Sequence, residues 1–152
     1  GIKAILATNQ AGVARGYFEE DMIGKVHNKL EDLLAADNAY LDAIYYCHHH
    51  PEVGEGKFKK KCNCRKPGPG MLLQGQEEFD LDLNKCYMIG DKISDVEMAH
   101  RAGAQGILVL TGYGMGNYKN DRDSWDVTPD YVAEDLFDAV EWILMDIEAR
   151  ED

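Results

Sequence analysis

The chain lacks any long apolar run and any excess of positive charge. In its 152 residues no apolar stretch approaches the ~20 residues that a membrane-spanning helix needs, and no signal peptide opens the sequence. The formal net charge is -12, which disfavours broad electrostatic binding to nucleic acid, because such binding requires a basic surface. These absences predict a cytoplasmic protein without a membrane or nucleic-acid partner.

Internal repeats and low-complexity segments are also absent, and the remaining composition is ordinary. With 45% apolar and 29% charged residues, the chain resembles a soluble globular protein rather than a disordered or fibrous one. Its length is that of one domain with one core, so we expect a single domain over residues 1–152. The acidic surface and the lack of an obvious apolar patch favour a monomer.

Short apolar runs alternate with helical patterns along the chain. Strands are predicted at 2–7, 41–46, 86–89 and 106–110, with a short edge strand at 130–133; helices are predicted at 19–37, 67–79, 94–102 and from 136 onward. This order predicts a Rossmann-like, three-layer α/β/α sandwich around a mainly parallel sheet. Residues 111–130 are polar and contain glycine, so we expect a surface loop there.

Apolar spacing predicts which faces of the first and last helices are buried. On the first helix the predicted apolar face consists of Met22, Ile23, Val26, Leu30, Leu33 and Leu34. His27 falls on the other side and is expected to be a solvated surface residue. On the last helix the predicted apolar face consists of Leu136, Val140, Ile143, Leu144 and Ile147, and residues 148–152 are expected to extend into solvent. Cys86 begins an apolar run and is predicted to be a small buried residue.

Three of the four cysteines lie near a run of histidines in an irregular insert at 47–64. Cys47 is followed by histidines at 48–50, and Cys62 and Cys64 are two residues apart. Three thiolates and one imidazole satisfy tetrahedral zinc without an open position, which predicts a structural rather than a catalytic site. Two alternatives are disulfides, disfavoured because the chain has core enough without them, and a loop of free thiols. Spacing alone does not select among the histidines.

Arg65 and Lys66 directly follow the last of these cysteines. A metal that anchors Cys64 would fix the neighbouring backbone, and this would reduce the entropy lost when both charges are positioned on a phosphate. The alternative is a solvated continuation of the basic run at 59–61. Thr8 follows the first predicted strand, where open α/β sheets bind ligands, although such a residue taken alone is more often part of a turn.

An acidic loop follows another predicted strand. Asp91 comes directly after that strand, with Asp95 about one helical turn further on. Carboxylate oxygens at this edge suit magnesium, and Lys92 beside them could bind a phosphate oxygen. The alternative is that Ser94 or Asp95 only caps the following helix.

Threonine after a strand, then a lysine, then Gly-Asp-x-x-x-Asp resembles the haloacid dehalogenase superfamily of phosphohydrolases. Finer motifs resemble the D-glycero-D-manno-heptose 1,7-bisphosphate phosphatase family, which is related to the histidinol-phosphate phosphatases. The motifs are Thr8-Asn9-Gln10-Ala11-Gly12-Val13-Ala14-Arg15-Gly16, Cys47-x-His49-His50-Pro51, Cys62-x-Cys64-Arg65-Lys66-Pro67 and Gly90-Asp91-Lys92. The resemblance covers nearly the whole chain.

The resemblance implies a role for each matching residue. Zinc would be held by Cys47, His49, Cys62 and Cys64, and magnesium by Asp91, with Asp95 as a further candidate. Catalysis and phosphate binding would involve Thr8, Lys66 and Arg65, and substrate would also contact Asn9, Gln10, Ala11 and Lys92. The implied activity is magnesium-dependent hydrolysis of the 7-phosphate of the heptose bisphosphate through an aspartyl-phosphate, in the synthesis of heptose and lipopolysaccharide precursors. Alternatives are a histidinol-phosphate phosphatase and a non-catalytic, zinc-stapled phosphate-binding fragment.

The Asp-x-Asp motif that carries the family's nucleophile and its acid-base residue is not found where the family has it. That motif would precede Thr8 by some tens of residues, at the end of the first strand of the fold. Asp80-Leu81-Asp82 does not replace it, because no buried strand precedes these residues. We therefore expect that the nucleophile and the central strand of the sheet belong to a segment ahead of these 152 residues.

Overall fold

The computed structural model describes residues 1–151 of the chain, in two compact units, Gly1–Gly75 and Gln76–Asp152. The described residues form parallel sheets and helices, so the predicted α/β class is confirmed. None of the helices in residues 1–151 has the length and apolarity needed to cross a membrane.

The first unit contains two parallel strands joined through a helix. These elements are β1 (Ile5–Asn9), α1 (Asp21–Ala36) and β2 (Ala43–Cys47). In the register of the pair, Thr8 lies opposite Tyr46 and Asn9 lies opposite Cys47. Strand β1 therefore starts and ends later than predicted, and its last two residues are Thr8 and Asn9. Both lie beside the end of β2, where the zinc loop begins.

His27 contradicts its predicted position on the surface. Its side chain is only 9% exposed, and its ring packs edge-on against Tyr46 with the ring centroids 5.4 Å apart. Ile23, one turn earlier, is buried on the same face, whereas Met22, Val26 and Leu33 are exposed. The prediction was wrong because the imidazole ring packs as an aromatic group, and the buried stripe is rotated accordingly.

The segment between β2 and the next helix is irregular, with a short 3₁₀ turn at Gly56–Phe58. Helix α2 (Gly70–Phe79) begins three residues later than predicted. The N–H of Gly68 donates to Arg65 O at 2.7 Å, and the N–H of Gly70 donates to Asn63 O at 2.8 Å. These bonds fold residues 67–69 back onto the cysteine loop, so this stretch cannot join the helix.

The second unit is a three-stranded parallel sheet in the order β3-β4-β5, with its helices between and after the strands. Its elements are β3 (Tyr87–Gly90), α3 (Ile93–Ala102), β4 (Gln105–Val109), α4 (Gly114–Asn120), β5 (Tyr131–Ala133) and α5 (Leu136–Glu151). Helix α3 is terminated by Gly103, whose φ of 83° gives a left-handed C-cap.

Two details of the second unit differ from the sequence prediction, the structure of residues 111–130 and the burial of Cys86. Helix α4 lies within residues 111–130, which were predicted to be a loop throughout. A Cβ on Gly114 would collide with Val109 O, so the glycine allows the start of α4 to pack closely against the end of β4. Cys86 is only partly buried, and its thiol donates to Asp82 O at 3.3 Å.

Helix α5 buries only part of the predicted face, since Ile143 is buried and Ile147 packs against the core. The helix continues through Glu151, so that only Asp152 of the predicted tail lies outside the described residues. Ala139 and Ile143 are buried in the core, while Leu136, Val140 and Leu144 are exposed. Trp142 accounts for this rotation, because its ring stacks on Tyr131 with centroids 4.9 Å apart and an interplanar angle of 7°.

Candidate functional site

The end of strand β2 and the loop after it bring the four predicted zinc ligands together. The ligand atoms of Cys47, His49, Cys62 and Cys64 all lie within 4.8 Å of one another. Cys47 Sγ is 3.5 Å from Cys62 Sγ, and Cys64 Sγ is 3.3 Å from Cys62 Sγ. His49 Nδ1 is 3.7 Å from Cys47 Sγ and 3.4 Å from Cys64 Sγ.

These distances fit one tetrahedral zinc ion. With Zn–S bonds of about 2.3 Å and a Zn–N bond of about 2.0 Å, tetrahedral angles place sulfur atoms about 3.8 Å apart and sulfur and nitrogen about 3.5 Å apart. Three thiolates and one imidazole would occupy every position, which is typical of a structural site. His49 is the histidine whose ring nitrogen enters the cluster, and the spacing alone had left that choice open.

The electrostatics of the cluster agree with metal ligation. Burial lowers the pKa of His49, and the electrostatic effects of His48 and Lys60 lower it further, which favours the neutral imidazole that metal ligation requires. Burial raises the pKa of the Cys47 thiol. Burial opposes the shift at Cys62, yet hydrogen bonds with Cys64 and Cys47 hold the pKa of its thiol below the ordinary value. Burial likewise raises the pKa of the Cys64 thiol, so a bound cation would be needed for all three sulfur atoms to be thiolates at once.

Lys66 is held at the carboxyl end of β1. Its backbone N–H donates to Asn9 Oδ1 at 3.2 Å, and its Nζ donates to Ala7 O at 3.3 Å. Gln10 contacts Thr8 Oγ1 at 3.5 Å through its side-chain amide, and its N–H donates to Cys47 O at 2.7 Å. The ammonium group of Lys66 and the polar residues that follow β1 therefore belong to one arrangement within the first unit.

Arg65 is tied to the cysteine loop, and Ala11 lies in the turn after β1. The guanidinium Nη1 of Arg65 donates to His49 O at 3.3 Å, so this charge depends on the same segment that supplies a zinc ligand. Ala11 O accepts a hydrogen bond from the N–H of Arg15 at 3.0 Å, which closes the turn. The contact between Arg65 and His49 O therefore agrees with the sequence argument that a metal in this loop would restrict the motion of Arg65 and Lys66.

In the second unit, Asp91 follows β3 and is enclosed by the loop that follows β4. Asp91 Oδ2 accepts the N–H of Tyr113 at 3.0 Å, and the Lys92 ammonium lies over the Tyr113 ring at 4.2 Å from its centroid. Gly112 has a φ of 58°, and a Cβ there would collide with the Asp91 carboxylate. This close backbone approach forms a cradle around an oxygen ligand of the kind that magnesium prefers.

Asp95 is almost fully buried, and its Oδ2 accepts the N–H of Lys92 at 3.2 Å. This bond caps the start of α3, the alternative that the sequence left open for this residue. A Cβ on Gly90 would collide with the Asp95 side chain, so the glycine before Asp91 makes room for the cap. The geometry therefore favours a capping role for Asp95 and leaves Asp91 as the carboxylate available to a metal.

Gly112 and Tyr113 were missed by the sequence argument, because they come more than twenty residues after Asp91 within a segment predicted as a loop. The glycines at 112 and 114, two residues apart directly after a strand, were the available signal. Asp80-Leu81-Asp82 lies in a turn after α2: Asp80 has a φ of 52°, and Asp82 Oδ1 accepts the N–H of Asn84 at 3.2 Å.

We expect Gly112→Ala to lower the free energy of unfolding by about 1–3 kcal/mol, because it adds left-handed strain and a collision with Asp91. Gly116→Ala is the matched control, since nothing lies within 4 Å of a Cβ there and alanine favours the helix. Urea denaturation of both variants measures the difference. Equal stabilities would show that the loop does not enclose Asp91 as described.

The parallel α/β fold, with Lys66 at the end of one strand and Asp91 directly after another, agrees with the haloacid dehalogenase class of hydrolases. The HAD-hydrolase-like family model matches residues 63–139. The chain belongs to the family of the D-glycero-D-manno-heptose-1,7-bisphosphate 7-phosphatases. It is 42% identical to the phosphatase of that name from Thermosynechococcus vestitus, over 95% of this chain and 76% of that protein.

Two further relatives support this assignment. The D-glycero-beta-D-manno-heptose-1,7-bisphosphate 7-phosphatase of Photorhabdus laumondii is 45% identical over 74% of this chain and 60% of its own length. A crystal structure of D,D-heptose 1.7-bisphosphate phosphatase from B. bronchiseptica, complexed with magnesium and phosphate, superimposes with a TM-score of 0.81 at 33% identity. That match covers 95% of this chain and 75% of the other. The chain therefore spans between three fifths and three quarters of the length of these relatives.

Proposed function

We propose that the complete protein containing this chain is a magnesium-dependent phosphatase that removes the 7-phosphate of D-glycero-D-manno-heptose 1,7-bisphosphate. The observation that carries the proposal is the anchoring of Lys66 beside Thr8 at the carboxyl end of β1, through Asn9 Oδ1 and Ala7 O. The names of the relatives support the choice of substrate. This activity belongs to the synthesis of heptose and lipopolysaccharide precursors.

In the proposed reaction, the residues of this chain bind and orient the phosphate that is removed. The Lys66 ammonium and the Thr8 hydroxyl contact the phosphoryl oxygens, and the positive charge stabilises the charge that develops during transfer. Asn9, Gln10 and Ala11 line the same strand end, and Arg65 contacts the rest of the substrate. The family resemblance also implies a substrate contact for Lys92. The zinc loop limits the motion of Arg65 and Lys66, so little entropy is lost when substrate binds.

We propose that the nucleophilic aspartate, and the aspartate that acts as acid and base, lie outside the 152 residues. The family resemblance implies an aspartyl-phosphate that water then hydrolyses. The turn conformation of Asp80 and the hydrogen bond from Asn84 to Asp82 support this, because neither side chain follows a strand. We further propose a cytoplasmic enzyme, because the free cysteines of the zinc cluster persist in a reducing compartment.

Asp91 would hold the magnesium ion, with water and phosphate oxygens completing its shell. When bound, the ion supplies positive charge that neutralises the phosphate. The enclosing loop at Gly112 and Tyr113 keeps the carboxylate in place.

Asp91→Asn should therefore raise the magnesium concentration needed for half-maximal activity by at least about tenfold, because an amide oxygen lacks the carboxylate charge. Magnesium titrations by activity and by calorimetry measure the effect. Asp123→Asn, at a carboxylate that is 98% exposed, is the matched control. An unchanged magnesium requirement in Asp91→Asn would assign the ion to other residues.

The substrate is tested by comparing kcat/KM for the heptose bisphosphate and for histidinol phosphate with the complete protein. We expect the higher value for the heptose bisphosphate. A higher value for histidinol phosphate would move the protein to the related family, and turnover of neither would leave the non-catalytic phosphate-binding role.

A further inference from the structure

Tyr113 is an exposed aromatic residue that contacts two site residues of the second unit. Its backbone N–H donates to Asp91 Oδ2 at 3.0 Å, and the Lys92 ammonium lies over its ring, 4.2 Å from the centroid. The residue is 65% exposed, so core packing does not account for an aromatic side chain at this position. The contact with Lys92 therefore suggests a role for the ring in the site itself.

Backbone hydrogen bonds fix both partners of this contact. The N–H of Lys92 donates to Asp95 Oδ2 at 3.2 Å, at the start of α3. In the loop after β4, the N–H of Gly114 donates to Thr111 O at 3.0 Å, and Tyr113 lies within this turn. The ring and the stem of Lys92 are therefore brought together by segments that are already ordered, which reduces the entropy lost in forming the contact.

The ammonium group of Lys92 has two places to go. Asp91 directly precedes it in the sequence, and a lysine side chain is long and flexible enough to reach the neighbouring carboxylate. Within residues 1–151 the two side chains form no ion pair, and the ammonium lies over the Tyr113 ring instead. A cation over an aromatic ring and an exposed ion pair are of similar strength, so a ring at this position can shift the balance between them.

The position of the ammonium matters because an ion pair would occupy the carboxylate that is proposed to hold magnesium. Asp91 Oδ2 already accepts the Tyr113 N–H, and in the part of the chain that the structure describes Oδ1 accepts no hydrogen bond. A lysine bound to this carboxylate would compete with the metal ion for it. The same lysine would also be lost as a cation for an anionic group of the substrate.

We propose that Tyr113 is a positioning residue whose ring holds the Lys92 ammonium away from Asp91, so that the carboxylate is available to magnesium and the ammonium to the substrate. The inference rests on the proposed function for the identity of the metal and of the substrate. It gives the Tyr113 side chain a role that is separate from the backbone N–H, which any residue at this position would supply.

Calorimetric titration of the complete protein with magnesium alone tests the inference without turnover. Tyr113→Leu keeps the backbone N–H and an apolar side chain but has no aromatic ring. We expect it to weaken magnesium binding by about 2- to 5-fold, in line with a cation–π contact at an exposed site. Tyr113→Phe keeps the ring and should recover most of the lost affinity. Tyr40→Leu, at a residue of the first unit that is 77% exposed, is the control and should bind magnesium as the wild type does.

A second background shows whether the ring acts through Lys92. Lys92→Met removes the ammonium and keeps an unbranched side chain. In this background Tyr113→Leu should no longer change magnesium binding, because no cation is left to compete for Asp91. A ring that only stabilised the loop would give the same loss in both backgrounds.

Kinetics supply a further readout. At saturating magnesium, Tyr113→Leu should raise KM for the heptose bisphosphate by about 2- to 5-fold and leave kcat within about twofold, because Lys92 contributes to binding rather than to phosphoryl transfer. Wild-type magnesium affinity in Tyr113→Leu, an equal loss in Tyr113→Phe, the same loss in the Lys92→Met background or an unchanged KM would overturn the inference. Failure of the proposed function has a different signature, namely a wild-type protein that binds magnesium but does not turn over the bisphosphate.

Discussion

Replacing Lys66 by Ala in the complete, magnesium-loaded protein is expected to lower kcat by about 100- to 1000-fold, which corresponds to loss of one donor aimed at developing charge. The structure supports a large effect because the Lys66 backbone is bound to Asn9 and its ammonium group reaches Ala7 O at the end of β1. This charge is therefore in place before substrate binds. Steady-state kinetics with the heptose bisphosphate measure the change.

Two variants make that result specific. Lys66→Arg keeps the charge but has a longer, planar group, so it should recover only part of the rate. Lys29→Ala, which removes a lysine from the exposed surface of α1, should retain the wild-type rate. If Lys66→Ala works within a few-fold of wild type, the strand end beside Thr8 is not the site of phosphoryl transfer.

Cys64→Ala is expected to abolish stoichiometric zinc binding and to lower the free energy of unfolding by more than about 4 kcal/mol, among the largest effects of a single substitution. Cys64 Sγ contacts both Cys62 Sγ and His49 Nδ1, so its loss opens the cluster on two sides. The loop at 47–64 has little regular structure, a short 3₁₀ turn and a single β-bridge between His50 and Lys59, so we expect zinc to supply much of its stability. Metal analysis and thermal unfolding measure the two effects.

Cys86→Ala provides the matched control. Cys86 lies in the second unit, outside the cluster, and its thiol makes a single weak hydrogen bond to Asp82 O. This variant should keep its zinc and lose about 1 kcal/mol or less. A chelated wild-type protein that unfolds at the temperature of the zinc-bound form would contradict a structural role for the metal.

The strands were predictable from the sequence, whereas the buried helix faces were predictable only in part: Ile23, Ile143 and Ile147 face the core as expected, but the centre of each face is shifted. Each apolar run gave a strand within a few residues, because a strand in a parallel sheet is apolar throughout. The rotation of α1 depends on contact between His27 and Tyr46, and the rotation of α5 on stacking between Trp142 and Tyr131. A search for periodic apolar residues does not place an imidazole or an indole ring at the centre of a buried helix face.

The candidate site was likewise predictable only in part. The zinc ligands come from one loop and the strand end before it, so their spacing revealed the three cysteines but not which histidine joins them, and Lys66 followed from its position two residues after Cys64. The cradle at Gly112 around Asp91 joins residues far apart in sequence. It depends on a close approach of the loop backbone to the Asp91 carboxylate, and no sequence pattern encodes that.

The most direct test of the proposed function is the fate of the two phosphates of D-glycero-D-manno-heptose 1,7-bisphosphate, followed by phosphorus NMR with the complete protein and magnesium. We predict that the resonance of the 7-phosphate is replaced by that of inorganic phosphate while the resonance of the 1-phosphate remains. Loss of the 1-phosphate, or two unchanged resonances with a zinc-loaded and folded protein, would contradict the account.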